Sequence, residues 1–432
     1  MDRKIAILLI TPIVLLMIVI LYFNNYKYNK SEKSDTDTRY LVPINTVSPL
    51  ESDDRDLFFL DSILKNKEIV LLGEQQHGDG STFEAKSRLI KYLHQKLNYN
   101  VLIFEANELD CYILWDSIYN QQANIKIYRN HLYDFWTEAE QMKFLFKYID
   151  KNVITESPLI IAGCDLQIRN DCFPIISNVI DKYIIESNVK IEELSKVYLR
   201  TCTFIANGEE YKLDENTKKD FVKLTKEYAD KLINRMNDSA SVLDYLVQRY
   251  LNQLSLYYYH KFFDDMGSSD AHMIRDSIMA NNIIWFKINM FKNKKIIVWA
   301  ANSHVIRNAS LINSKEETTT YKRMGEYLFE KLDSLVYSIC MTSYQGVTFN
   351  IYTHRLEKVN ECIDGGLEYK IHLSGLDFCF IDLSKNNSKE FLNNEYSKIL
   401  GHHNLETKLK FNTDAIFYID KMKPLIIEKN GQ

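Results

Sequence analysis

The chain has 432 residues, 46% hydrophobic and 26% charged, with a formal net charge of −5; that balance supplies a folded core and excludes a disordered or fibrous protein. Its 13 glycines and 6 prolines are less than half the usual shares of roughly 7% and 5%, so folds built on closely spaced tight turns are excluded and helices should dominate. The 53 Lys and Arg residues are spread along the chain rather than gathered into a stripe, which removes nucleic acid as a partner.

Residues 1–23 contain an almost wholly apolar run, 5–23, behind Arg3 and Lys4. At about 1.5 Å per residue, a helix of that length matches a bilayer core. The run ends in bulky Leu21, Tyr22 and Phe23 rather than small residues, so it is expected to be an uncleaved, single-pass membrane anchor. Lys27, Lys30, Lys33 and Arg39 follow it and outnumber the cations before it, yet the expected orientation places the soluble domain outside the cytoplasm. Residues 24–40 are polar and aperiodic and read as a tether, and residues 41–432 as one domain.

Short apolar runs follow at 68–73, 100–104, 158–163 and 295–300, β-branched or aromatic and four to six residues long, as strands buried on both faces are. Between the first two, Leu89, Ile90, Leu93 and Leu97 recur at helical spacing over 83–97, predicting a βαβ unit. Later strands are expected at 335–342, 347–352, 377–383 and 415–419. From about 190 to 290 strand signals vanish, and Phe221, Leu224, Tyr228, Leu232 and Met236 mark helices. The expectation is an α/β fold, a largely parallel sheet flanked by helices, with an inserted all-helical subdomain. The seven cysteines form no Cys-x-x-Cys pair and read as free buried thiols, with Cys164 and Cys172 as the one conceivable disulfide.

Loops after the carboxyl ends of parallel strands form the ligand crevice. There the sequence places Glu74 and His77, then Glu105, then Asp165 and Gln167, then Asn302 and His304. Neither Gly-x-Ser-x-Gly nor His-Glu-x-x-His occurs. Gly73-x4-Gly78 has phosphate-loop spacing, but Asp79 stands where the phosphate-binding Lys belongs. What remains is a carboxylate–imidazole set suited to activating water, with His77 as general base and Glu74 or Glu105 holding its tautomer. Lys86 or Arg88, on the next helix, would face the oxyanion of a small-molecule ester or lactone. Two alternatives stay open: a metallohydrolase using Glu74, His77, Glu105, Asp165 and His304 as ligands, and a non-catalytic binding module served by Tyr257, Tyr258 and Tyr259.

These residues resemble the erythromycin esterase family over most of the chain. Gly73-Glu74-x-x-His77-Gly78 is similar to its first motif, followed by Phe83, Lys86, Arg88-Leu89 and Glu105. Trp136 and Glu140, Gly163-x-Asp165-x-Gln167, Arg275-Asp276, Met279-Ala280, Val298-Trp299-Ala300, Met324-Gly325 and Asp414-Ala415 continue in the family's order. The resemblance implies ester hydrolysis without metal or other cofactor, by Glu74, His77, Lys86, Glu105 and His304, with Arg88, Asp165, Asn302 and Arg275 in support. It also shows a departure. The family commonly has His-Asn-x-His where this chain reads Ala301-Asn302-Ser303-His304, which implies a substrate other than a macrolide.

Overall fold

The computed structural model describes residues 38–428, apart from 121–124, 169–179, 181–191, 235, 238–239, 265–267, 314–320 and 385–395. The expectation of a membrane-anchored protein is corrected at this point: among the described residues no helix is long and apolar enough to cross a membrane. The stretch read as the anchor, 1–23, and 24–37 of the tether lie outside the described residues. The extracytoplasmic placement, which rested on that anchor, goes with it. The last tether residues, Thr38–Tyr40, form a 3-10 helix, and Tyr40 already packs on the core.

The strands are β1 (Val42–Pro43), β2 (Ile69–Leu72), β3 (Tyr99–Asn107), β4 (Ile160–Asp165), β5 (Lys295–Trp299), β6 (Val336–Asn350), β7 (Arg355–Lys358), β8 (Phe378–Asp382), β9 (Tyr396–Ser397), β10 (Leu405–Glu406) and β11 (Ala415–Met422). The main sheet runs β1-β8-β11-β6-β2-β5-β3-β4, with β7 hairpinned onto β6. From β11 to β4 every pairing is parallel, and only β8, β1 and β7 run against their neighbours. The fold is α/β, with a mostly parallel sheet.

The unbroken apolar runs have a direct cause. In β2, β3, β4 and β5 alternate residues serve two cores, and neither face of that part of the sheet meets water. Ile69, Leu71, Val101, Ile103, Ile296 and Val298 join one core, covered by helices Glu192–Ala206, Glu215–Ile233, Val242–Phe263 and Ser268–Trp285 through Tyr198, Phe221, Tyr250 and Met279. Val70, Leu72, Leu102, Phe104, Ile297 and Trp299 join the other, covered by helices Gly80–Leu97 and Lys143–Asn152 through Phe83, Ile90, Leu93 and Ile149.

Three details differ from the sequence reading. The segments 335–342 and 347–352 are one strand, β6. β2 and β3 are not neighbours, because β5 enters the sheet between them from far along the chain. β3 runs beyond residue 104 through a register shift to Asn107, so Glu105 lies inside a bulge rather than after a strand. Only glycine fits opposite that bulge: a Cβ on Gly163 would stand 2.5 Å from the carbonyl oxygens of both Ala106 and Asn107. Cys164 is a buried free thiol, and its suggested partner Cys172 lies outside the described residues.

Candidate active site

The carboxyl ends of β2, β3, β4 and β5 deliver their side chains to one edge of the sheet. A cleft of about 1470 Å³ opens there, and His77, Glu105, Arg275, Ala301, Ser303 and His304 all line it. Other walls come from 133–138, from the β6–β7 turn and from the β9–β10 segment. Helix Ser268–Trp285 contributes His272 and Arg275.

His77 leads the first layer. Its Nδ1 is 2.6 Å from Glu74 Oε1, its ring stacks on Phe135 at 4.8 Å, and its Nε2 has no protein partner among the described residues. A carboxylate only accepts, so Nδ1 carries the hydrogen in this pair and Nε2 of the neutral ring has a free lone pair. Glu74 is fully buried and accepts at its other oxygen from Lys86 Nζ at 2.6 Å and from Trp299 Nε1 at 2.8 Å. Lys86 is fully buried as well, donates to the Ala300 carbonyl at 3.1 Å and sits 4.7 Å from the Trp299 ring. Burial lowers the Lys86 amine's pKa, against the pull of Glu74. For His77, burial disfavours the charged ring, but the Glu74 bond and the fields of Glu74 and Glu105 prevail and its pKa is raised.

The opposite wall is a chain of alternating charges. Arg275 gives Nε and Nη2 to Asp165 at 2.6–3.1 Å and Nη2 to Glu105 at 2.9 Å. Glu105 also meets His304 Nε2 at 3.1 Å and takes the Ala301 backbone N–H at 3.0 Å. His304 Nδ1 is 2.7 Å from Asp276 Oδ1, which also accepts from Met324 N at 3.0 Å. Burial works against charging both Glu105 and His304, and their partners overturn it in each: His304 and Arg275 hold Glu105 well below the ordinary carboxylate range, while Asp276 and Glu105 hold His304 up at about 10. His304 is therefore an imidazolium donating from both nitrogens, with no lone pair to act as a base. Among the described residues the Arg275 Nη1 is bonded to no carboxylate and lies 3.5 Å from His304 Nε2.

The structure sorts the sequence candidates into three positions. His77, Glu105, Arg275 and His304 line the cleft; Glu74 and Lys86 sit behind His77, and Asp165 behind Arg275. Arg88 and Asn302 are elsewhere. Arg88 points away to Asp56 at 2.6 Å and to the Thr46 and Asp53 carbonyls, clamping the N-terminal segment, so it is no oxyanion donor. Asn302 is fully buried and ties β6 to the segment after β9 through the Met341 and Ile399 carbonyls. It packs so closely that a Cβ on Gly73 would lie 2.0 Å from its Oδ1. Asp79, out of place for phosphate binding, fixes the β2 loop by accepting from Gln76 N at 3.0 Å and contacting His402 Nε2 at 2.9 Å.

Residue-by-residue reading missed Asp276, Trp299, Phe135 and Arg323, the last of which also lines the cleft. Adjacency to Arg275 and to the strand end at Ala300 was a signal for the first two; Phe135 and Arg323 carried none. The five donors proposed for a metal are engaged with each other and with Lys86 and Arg275, and among the described residues no group of three or more His, Cys, Asp or Glu is placed to hold an ion. Tyr257 and Tyr258 line not the cleft itself but an adjoining cavity of about 410 Å³, which shares Tyr133, Gln167 and Arg275 with it.

The erythromycin esterase family profile matches residues 94–422, and the chain belongs to that family. Glu105, Asp165, Arg275 and His304 fall within the match, whereas the Glu74–His77 loop precedes it. A Bacillus subtilis protein named "Putative hydrolase YbfO" is 24% identical over 96% of this chain and 98% of its own. Among solved structures, a Bacillus cereus protein superposes with a TM-score of 0.75 at 19% identity, covering 93% of this chain and 99% of that one. A succinoglycan biosynthesis protein reaches 0.75 at 18% over the same shares. A mutant of the erythromycin esterase EreC in its open conformation reaches 0.67 at 16%, covering 88% and 97%.

Proposed function

We propose that this chain is a hydrolase in which His77 activates water against an ester or lactone of a small-molecule substrate. Family membership and the relative named as a hydrolase support the reaction class. The observation that carries the mechanism is the 2.6 Å Glu74–His77 contact at the mouth of the cleft, with Nε2 free to accept a proton. In this account Nε2 takes a proton from water as the hydroxyl oxygen bonds to the carbonyl carbon, and the C=O electron pair moves onto oxygen. Arg275 Nη1, which no described carboxylate takes, is the donor left to steady the oxyanion, while His304, both of whose N–H groups go to carboxylates, holds Glu105 beside it. Collapse expels the alkoxide, which His77 reprotonates. Ala301 offers only a methyl group to the cleft where the family commonly has an imidazole, so the substrate in this reading differs from a macrolide.

The test is an ester and lactone screen of the purified protein, with His77→Ala alongside. Loss of about 10²- to 10⁴-fold in kcat/KM is expected. A His77→Ala enzyme with wild-type turnover contradicts the mechanism.

A further inference from the structure

Two arginines line the cleft, and they are in opposite electrostatic states. Arg275 is paired with Asp165 and Glu105. Arg323 is 3% exposed, yet among the described residues no carboxylate lies within ion-pair distance of it. Its Nη1 donates to the Tyr321 hydroxyl, its guanidinium lies 3.6 Å from the Tyr321 ring centroid, and its Nε is buried without a hydrogen-bond partner among the described residues. Asp276, whose field reaches Arg323, is not bonded to it: its Oδ1 accepts from His304 and from the backbone N–H of Met324, the residue after Arg323, and its Oδ2 is buried without a hydrogen-bond partner among the described residues. The Met324 bond ties Arg323 to the His304 wall and fixes where it stands. His272, another cleft residue, stacks on the Tyr321 ring at 5.8 Å.

A guanidinium out of water without a counter-ion is a costly arrangement, and a folded chain has cheaper ways to fill a cleft wall. Burial in fact lowers the Arg323 pKa, against the attraction of Asp276. An incoming oxyanion would supply the missing charge and accept from the idle donors, while the Tyr321 ring holds the planar fork in place.

We infer that Arg323 is an anion subsite of the cleft, and that the substrate carries a carboxylate or phosphate group remote from the bond that is cut. This rests on the hydrolase reading above and deepens it by naming the substrate class.

The experiment measures binding, so it reads out whether or not His77 hydrolyses anything. Glutarate and inorganic phosphate are titrated into the full chain by calorimetry, beside the uncharged glutaramide, for wild type, Arg323→Gln and Arg323→Lys. The expected result is binding of at least one anion but not of glutaramide, with affinity about tenfold or more weaker in Arg323→Gln, the scale of a lost charge-assisted hydrogen bond, and partly restored in Arg323→Lys. Preference for glutarate marks a carboxylate ester, and preference for phosphate a phosphate-bearing one. If wild type binds neither anion, or if Arg323→Gln binds as tightly as wild type, the subsite is refuted. Should Arg323→Gln fail to fold, the wild-type anion-to-amide comparison and Arg323→Lys still decide.

Discussion

Glu74 reaches His77 through one carboxylate oxygen, 2.6 Å from Nδ1, while its other oxygen is held by Lys86 and Trp299. The carboxylate that orients the proposed base is thus fixed from the far side by a buried ammonium, and the ring cannot swing without breaking a four-residue network. Lys86→Met should therefore do two things. Removing one partner of a buried pair costs about 3–5 kcal/mol, visible in urea denaturation. With the opposing field of Lys86 gone, the His77 pKa should rise further. Unchanged stability would show that Glu74 does not depend on Lys86.

His304 gives a pH signature in stability rather than rate. Its folded pKa is raised to about 10, against an ordinary imidazole near 6.5. Because the charged form is the one stabilised, its contribution is complete below pH about 6.5 and is lost as pH climbs through the folded value. Wild-type stability should fall across that alkaline window. His304→Gln should be less stable at neutral pH and flatter above it, as followed by thermal melts at successive pH values.

Arg88 separates a structural cation from the proposed chemistry. It is 2% exposed and bonded to Asp56, Asp53 and Thr46. Arg88→Ala strands a buried carboxylate and should cost about 3–5 kcal/mol. The pH profile of hydrolysis should keep the wild-type midpoint, because no bond connects Arg88 to the cleft. A shifted midpoint would return Arg88 to the site.

The contrast between Lys86 and Arg88 also shows what the sequence could convey. Both sit on helix Gly80–Leu97 near the strand-end motif, and linear order cannot say that one side chain turns to Glu74 and the other to Asp56. Strands, by contrast, were plain because burial on both faces leaves continuous apolar runs such as Ile69–Leu72. The joining of His77, Glu105 and His304 was readable because parallel strands send their carboxyl ends to one edge. The insertion of β5 between β2 and β3 was not, since pairing across about two hundred residues or more leaves no local trace. Arg323 was invisible for a related reason: its meaning lies in the absence of a carboxylate paired with it among the described residues, which only the folded chain reveals.

The central claim is that Glu74 makes His77 the base. The direct test is kcat/KM against pH for wild type and Glu74→Gln on the same ester. The account predicts that wild-type rates climb with pH through an apparent pKa above the usual imidazole value of about 6.5. In Glu74→Gln that midpoint should move down and the plateau drop by about 10²- to 10⁴-fold. Identical midpoints in the two proteins, with equal plateaus, would contradict it.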